Sequence, residues 1–185
     1  MASNSPRRRE ILERAGLTFT VDAANIEEDM ARKVAPGELA KRLAFEKAAA
    51  VALRHPGAII IGADTVVASG KYVWSKPENA REAAMMLKAH SGKTHAVWTG
   101  FAILDTASWK RVQRAVKTSV KMRALSPKEI ATYVKTGEPF NGAGGYQLQG
   151  TGYVLVSEIK GDYNNIIGLP LTVVLKELKK LGVRA

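Results

Sequence analysis

Two adjacent arginines near the start of the chain have the most specific chemistry in the sequence. Residues 3–8 read Ser-Asn-Ser-Pro-Arg-Arg, in which Ser5 suits a helix N-cap and Pro6 the first helical position. Arg7 and Arg8 then fall in the first helical turn, where the backbone dipole is already positive and cations are unfavourable. Guanidinium groups beside exposed N–H donors favour an anion, phosphate above all. A solvated basic terminus is the alternative that this stretch leaves open.

A single aspartate follows a short apolar run. Residues 58–61 (Ala-Ile-Ile-Ile) predict a buried strand that ends before Gly62, and Asp64 comes directly after it. Open α/β sheets bind ligands at the ends of their strands, so Asp64 is a candidate general base or metal ligand. A turn residue whose carboxylate caps local N–H groups is the competing interpretation.

Two lysines are further candidates for binding an anion. Lys47 lies in the middle of the apolar face of a helix predicted over residues 36–54. A lysine there must either extend to solvent or meet an anion, and we expect the anion because other basic groups are predicted to share it. Lys76 precedes the next predicted helix and is placed to share an anion with its N-terminus, although exposed loop lysines are also ordinary.

Three other side chains have chemistry that a nucleotide site could use. Glu27 and Glu28 form an acidic pair that could hold Mg²⁺ together with an aspartate, or simply a solvated loop. Gln149 ends a glycine-dense stretch, residues 141–150, and its amide offers one donor and one acceptor to a base edge. That stretch also fits a flexible loop. His95 has no Ser or Cys nucleophile to serve and is interpreted as structural.

The elements that must position these residues alternate between helix and strand, which favours an α/β fold in one domain. Helices are predicted from Ser5 to Gly16 and over residues 36–54, 79–90, 126–137 and 169–181. Strands are predicted over residues 58–61, 95–104, 111–122 and 153–159.

Composition narrows the classes of partner. The 185 residues include 28 Lys and Arg against 17 Asp and Glu, a net charge of +11 that suits a nucleotide, a nucleic acid or an acidic surface. No basic–aromatic alternation of the single-strand-binding kind accompanies the charge. The absence of cysteine excludes disulfides and a Cys nucleophile. No apolar run reaches the roughly 18 residues of a membrane span or resembles a signal peptide, so a cytoplasmic location is expected.

With these pieces in order, the chain resembles the Maf family of nucleoside triphosphate pyrophosphatases. The resemblance runs from residue 3 to residue 171. It is carried by SNSPRR at residues 3–8, IEE at 26–28, EKA at 46–48, GADTVV at 62–67, KP at 76–77, SGKTH at 91–95, TG at 99–100, AGGY at 143–146, QG at 149–150 and GDYNNIIGLPL at 161–171.

The resemblance implies a fold, a reaction and a set of site residues. The fold is an elongated mixed sheet flanked by helices, with two lobes around a nucleotide cleft in one domain of residues 1–185. The reaction is hydrolysis between the α and β phosphates to a monophosphate and pyrophosphate, with Mg²⁺ or Mn²⁺. Asp64 is the implied base, Glu28 and Asp64 the metal ligands, and the implied phosphate-binding residues are Ser5, Arg7, Arg8, Lys47 and Lys76.

Three positions distinguish subgroups of that family. The subgroup that looks like dTTP/UTP pyrophosphatases carries Arg, Thr and Gln where this chain has Arg7, Thr65 and Gln149. The subgroup acting on 7-methyl-GTP carries an aromatic residue, Gln and Glu. The resemblance therefore implies dTTP and UTP as substrates, with modified pyrimidine nucleotides among the candidates.

Two departures from the family pattern accompany the resemblance. Family members usually carry a short apolar strand before the Ser-x-Ser-Pro-Arg-Arg motif, whereas only Met1 and Ala2 precede it here. Either the start lies further upstream or the sheet lacks that strand. The acidic motif reads Ile-Glu-Glu rather than the commoner Ile-Asp-Glu. The alternative function is a basic nucleic-acid-binding or cell-division (septum) regulatory protein, and a homodimer stays open.

Overall fold

The computed structural model describes residues 1–30, 33–70 and 72–183, where six α-helices and five β-strands confirm the α/β class. Three short 3₁₀ helices lie between α4 and β5, at Glu138–Asn141, Ala143–Gly145 and Thr151–Leu155. The α-helices are α1 (Pro6–Arg14), α2 (Pro36–Ala52), α3 (Ala80–His90), α4 (Pro127–Lys135), α5 (Tyr163–Ile167) and α6 (Leu171–Lys180). The strands are β1 (Ile59–Ser69), β2 (Tyr72–Trp74), β3 (Thr94–Asp105), β4 (Arg111–Met122) and β5 (Val156–Lys160).

The strands form one sheet in the order β2-β1-β3-β4-β5. At one edge β1 pairs antiparallel with β2, and Ser69 lies opposite Tyr72. At the other edge β4 pairs antiparallel with β5, and Ser119 lies opposite Lys160. The register between β4 and β5 shifts by one residue between Lys121 and Met122, opposite the start of β5. In the described part of the chain, no helix is long and apolar enough to cross a membrane.

Side-chain caps explain where several helices begin. The Oγ atom of Ser5 accepts from the backbone N–H of Arg8 at 3.5 Å, so α1 starts as predicted. Ser126 and Glu129 form a reciprocal capping box at the start of α4, so this helix begins as predicted. At α3, Asn79 is the cap, but the Glu82 carboxylate accepts from Glu78 N rather than from Asn79 N.

Two predicted element boundaries are wrong, and both involve glycine. The strand predicted over residues 58–61 runs on to Ser69, so Asp64 lies inside β1 and is neither at a strand end nor in a turn. The β-branched residues after Asp64 continue the pairing toward β2. The strand predicted over residues 153–159 begins at Val156, because the backbone from Thr151 to Leu155 forms a 3₁₀ helix after Gly150.

The chain divides into two compact units. The first unit comprises Met1–Asp64, Thr99–Val116 and Gly168–Ala185, and the second comprises Thr65–Trp98 and Lys117–Ile167. The organisation as a single domain of residues 1–185 therefore stays a prediction. The candidate catalytic residues of the sequence fall in the first unit, and Thr65, Lys76 and Gln149 fall in the second.

Close packing of α2 onto the sheet builds the core of the first unit. A Cβ atom at Gly62 of β1 would lie 2.2 Å from the carbonyl oxygen of Ala44, and one at Gly100 of β3 would lie 2.2 Å from that of Ala40. The backbones of α2 and the two strands can come this close because the strands carry glycine and the helix carries alanine at the contact. The helix therefore lies almost directly on the sheet backbone, and this contact sets the position of every later residue of α2.

Candidate active site

Lys47 is the centre of a partly buried ionic cluster in the first unit. Its Nζ atom donates to Oδ1 of Asp64 at 2.5 Å and lies 2.8 Å from Oε1 of Glu28. The side chain is 12% exposed for Lys47 and 9% for Asp64, against 40% for Glu28. The lysine that the sequence places on an apolar face thus meets two carboxylates of the protein itself. We call Glu28, Lys47 and Asp64 the lysine–carboxylate cluster.

The cluster follows from the contact between α2 and β1. Asp64 is two residues beyond Gly62 on β1, so its side chain lies on the same face of the strand as the position against which Ala44 packs. Lys47 is three residues beyond Ala44, one turn further along the same side of α2. The two side chains therefore converge where the helix lies closest to the strand.

Burial dominates the electrostatics of Asp64. Removal from water raises the pKa of its carboxyl above the ordinary value, although the positive charges of Lys47 and Arg8 act in the opposite direction. Since the folded protein holds this proton more tightly than the unfolded chain, ionisation of Asp64 costs folding stability. That cost appears as the pH rises from the ordinary value through the raised one. A carboxylate whose pKa is raised by burial is a stronger proton acceptor than an exposed one.

Arg8 is fixed beside the cluster by two hydrogen bonds from its guanidinium. Its Nε atom donates to the carbonyl of Gly168 at 2.8 Å, and its Nη1 atom donates to Oγ of Ser3 at 3.0 Å. Burial lowers the pKa of Arg8, while the charge of Asp64 counteracts that effect. Arg8 is therefore a second cation within electrostatic reach of Asp64. Neither Ser3 nor Gly168 was a candidate from the sequence, although both lie in the motifs that carry the family resemblance.

The N-terminus of α1 supplies the remaining predicted groups of the first unit. Ser5 caps the helix with its hydroxyl, and its own N–H donates to Oγ of Ser3 at 3.2 Å. Arg7 is half-buried in the first turn, and its charge contributes to lowering the pKa of Arg8. Both arginines lie in the first turn of the capped helix, as predicted. Binding of phosphate by Ser5 and Arg7 stays a prediction.

Three predicted residues belong to the second unit. Thr65 is half-buried on β1, and Lys76 is exposed between β2 and α3. Gln149 is half-buried in a bend just before the 3₁₀ helix Thr151–Leu155. His95 is buried in the same unit, where its Nε2 atom lies 2.7 Å from the hydroxyl of Tyr146. The predicted phosphate contact of Lys76 and the predicted specificity roles of Thr65 and Gln149 stay predictions.

The carboxylates of the lysine–carboxylate cluster have the chemistry of a magnesium site. Asp64 and Glu28 both approach the same Nζ atom, so the protein already holds two carboxylate oxygens around one positive charge. Mg²⁺ and Mn²⁺ prefer such oxygen ligands, and Mg²⁺ is commonly held by one or two carboxylates plus substrate phosphates. Among residues 1–30, 33–70 and 72–183, no group of three or more His, Cys, Asp or Glu side chains could hold an ion alone. The residues present therefore fit an ion that binds together with a phosphate ligand.

Comparisons with known proteins cover nearly the whole chain. A family model described as "Maf-like protein" matches residues 1–181. The dTTP/UTP pyrophosphatase of Desulforamulus reducens is 40% identical over 183 residues, which cover 99% of this chain and 96% of that protein. The enzyme of the same name from Moorella thermoacetica is 43% identical, with 99% and 94% covered. That from Deinococcus radiodurans is 42% identical, with 100% and 93% covered.

Replacing the central lysine should change the titration of its partner. We expect Lys47→Met to raise the pKa of Asp64 further above its ordinary value, because the variant removes the nearest opposite charge from a buried carboxyl. Side-chain carboxyl titration by NMR measures the shift. Lys41→Met is the matched control, since Lys41 is also on α2 but pairs with Glu38 at 2.6 Å. An Asp64 pKa that moves equally little in both variants would contradict the assigned pairing.

Proposed function

The chain belongs to the Maf family, and from that premise we propose that it hydrolyses dTTP and UTP to the nucleoside monophosphate and pyrophosphate. Relatives named as dTTP/UTP pyrophosphatases match the chain over nearly its full length at 40–43% identity. The observation within the molecule that supports the reaction best is the buried Asp64, which contacts Lys47 and lies within electrostatic reach of Arg8. A general base and two phosphate-binding cations are the groups this hydrolysis needs.

In the proposed reaction, Asp64 accepts a proton from water while the water oxygen bonds to the α-phosphorus. The bond between the α-phosphorus and the bridging oxygen breaks, and pyrophosphate leaves. Before substrate arrives, Lys47 is paired with Asp64 and Glu28. A triphosphate offers Lys47 and Arg8 alternative anionic partners. As those cations turn to phosphate, the carboxylate of Asp64 is released from its ion pair and becomes accessible to the water.

We propose that Glu28 and Asp64 hold Mg²⁺ or Mn²⁺ together with the bound triphosphate. When bound, the ion would offset the negative charge that gathers on the leaving pyrophosphate. Lys47 contacts the same carboxylate oxygens of Glu28 and Asp64 that would serve as ligands of the ion. The transfer of Lys47 from these oxygens to phosphate is therefore the change that would open the carboxylates to the ion.

Base selection is assigned to Arg7, Thr65 and Gln149, with Gln149 as the reader of the base edge. An amide carries both a donor and an acceptor, as does the Watson–Crick edge of thymine or uracil. A buried edge group left unpaired costs about 1–3 kcal/mol, or roughly tenfold to a hundredfold in discrimination. Modified pyrimidine nucleotides that keep this edge are candidate substrates for the same reason.

The alternative function as a nucleic-acid-binding or cell-division regulatory protein is not favoured, since the relatives are named as enzymes of nucleotide hydrolysis. The net charge of +11 that suggested it is equally suited to a triphosphate substrate. The cytoplasmic location and the homodimer stay predictions.

A panel of nucleoside triphosphates with pyrophosphate detection tests the proposed reaction. We expect the highest kcat/KM with dTTP and UTP, and an Asp64→Asn variant slower by at least about a hundredfold because it has lost the base. Its circular dichroism spectrum should match that of the wild type, because Asn keeps the size of Asp64 and Lys47 keeps Glu28 as a charged partner. Near-normal turnover by the folded variant would contradict the role of Asp64.

Removal of divalent cations tests the proposed metal ligands. We expect EDTA to abolish hydrolysis and added Mg²⁺ to restore it. Glu28→Gln should raise the Mg²⁺ concentration for half-maximal rate by about tenfold or more, because a neutral amide is a poorer ligand than a carboxylate. Glu27→Gln changes the neighbouring exposed acid and should leave that concentration unaltered. Equal Mg²⁺ dependence in the two variants would remove Glu28 from the site.

A charge change at Gln149 tests the reading of the base. We expect Gln149→Glu to lower kcat/KM for dTTP and UTP relative to purine triphosphates by roughly tenfold to a hundredfold, because the amide donor is replaced by an acceptor. The same change at Gln113 on β4 is the control and should leave the ranking as it is. An unchanged ranking in the Gln149 variant would mean that other residues read the base.

A further inference from the structure

The carboxylate of Glu138 accepts three hydrogen-bond contacts from two backbone N–H groups in the segment just after Gln149. The N–H of Thr151 donates to Oε1 at 2.9 Å and to Oε2 at 3.0 Å, and the N–H of Gly152 donates to Oε2 at 3.1 Å. Glu138 itself opens the 3₁₀ helix that follows α4. A side chain from one element thus holds the backbone of another.

The segment just before Gln149 is also hydrogen-bonded to Glu138, and to Tyr133 as well. The side-chain Nε2 atom of Gln147 donates to the backbone carbonyl of Glu138 at 2.9 Å. The backbone N–H of Gln147 donates to the hydroxyl of Tyr133, a buried residue of α4, at 3.1 Å. Residues 147 and 151 are therefore both hydrogen-bonded to other elements, and Gln149 lies in the short loop between them.

Gly150 makes this arrangement specific to glycine. Its φ of 93° and ψ of −151° belong to a region that only glycine adopts readily. A Cβ atom at this position would also lie 2.7 Å from Oε1 of Glu138. The loop is thus shaped so that the carboxylate comes as close as the backbone permits, directly beside the residue that follows Gln149.

The charge of Glu138 is maintained by the contacts it makes. Burial raises the pKa of this carboxyl, but the hydrogen bonds from Thr151 and Gly152 outweigh that effect and the net pKa lies below its ordinary value. The group is therefore ionised at neutral pH, where an ionised acceptor binds N–H donors more strongly than a neutral one does.

We propose that Glu138 is a positioning residue that holds Gln149 in the orientation needed to read the pyrimidine base. This inference rests on the proposed function, in which Gln149 is the base reader. Glu138 acts only through the loop backbone. Its loss should therefore affect discrimination between bases, because the predicted phosphate-binding residues and Asp64 lie on other elements.

Glu138→Gln is the variant that tests this role, because it keeps the size of the side chain and replaces one acceptor oxygen with a donor. Glu129→Gln is the matched control: Glu129 likewise accepts from Ser126 N, Ser126 Oγ and Arg123 Nη1, but at the opposite end of α4. Both variants are compared with Gln149→Glu for kcat/KM with dTTP and with dGTP, and for amide hydrogen exchange over residues 147–152.

For Glu138→Gln we expect the ratio of kcat/KM for dTTP to that for dGTP to fall about tenfold, through a raised KM for dTTP. Exchange over residues 147–152 should accelerate in this variant and not in Glu129→Gln. An unchanged ratio in Glu138→Gln, with an altered one in Gln149→Glu, would overturn the inference and leave the proposed function standing.

Two other outcomes also decide the matter. An equal fall of the ratio in Glu129→Gln would show general loosening of the second unit and would overturn the specific role of Glu138. A wild-type enzyme without activity toward dTTP and UTP would overturn the proposed function first, and the selectivity role of Glu138 with it. These results are distinguishable because the wild-type assay alone tests the proposed function, whereas the variants test the role of Glu138.

Discussion

The ion pair between Lys47 and Asp64 is the interaction on which the candidate site depends, because neither charge is stable in its place alone. An unpaired buried charge costs several kcal/mol, and removing one partner of a buried pair leaves the other uncompensated. Paired at 2.5 Å, and with Glu28 and Arg8 nearby, Asp64 and Lys47 each have an opposite charge within reach. The pairing thereby brings the proposed base and a proposed phosphate-binding cation together in one place.

The same interaction implies a compromise between stability and activity. The pKa of Asp64 stays raised in spite of its cationic neighbours, which means that holding its charge costs the fold free energy. The close contact of α2 with Gly62 compensates, since it packs the helix onto the sheet around the cluster. Apolar packing thus supports a polar arrangement that would be unfavourable by itself.

Loop residues carry the other half of the proposed chemistry, and they depend on a different kind of support. Glu138 and Tyr133 satisfy backbone N–H groups on both sides of the bend that contains Gln149. Buried or half-buried backbone donors need such partners. A specificity residue can therefore lie in an irregular, glycine-rich segment and still have a defined position.

Local sequence rules predicted the helix starts at Ser5 and Ser126, the α/β class and the family, because caps and motifs act over a few neighbouring residues. The same rules placed Asp64 at the end of a strand, since a glycine usually interrupts a strand and no local signal shows that a helix packs against Gly62. The motifs also picked out Lys47, Arg8 and Gln149 but left their partners undetermined. Lys47 meets Asp64 across 17 positions, Arg8 meets Gly168 across 160, and Glu138 meets Thr151 across 13. Only the folded chain decides such pairings, because they arise from how close whole elements can pack and not from the preferences of the residues themselves.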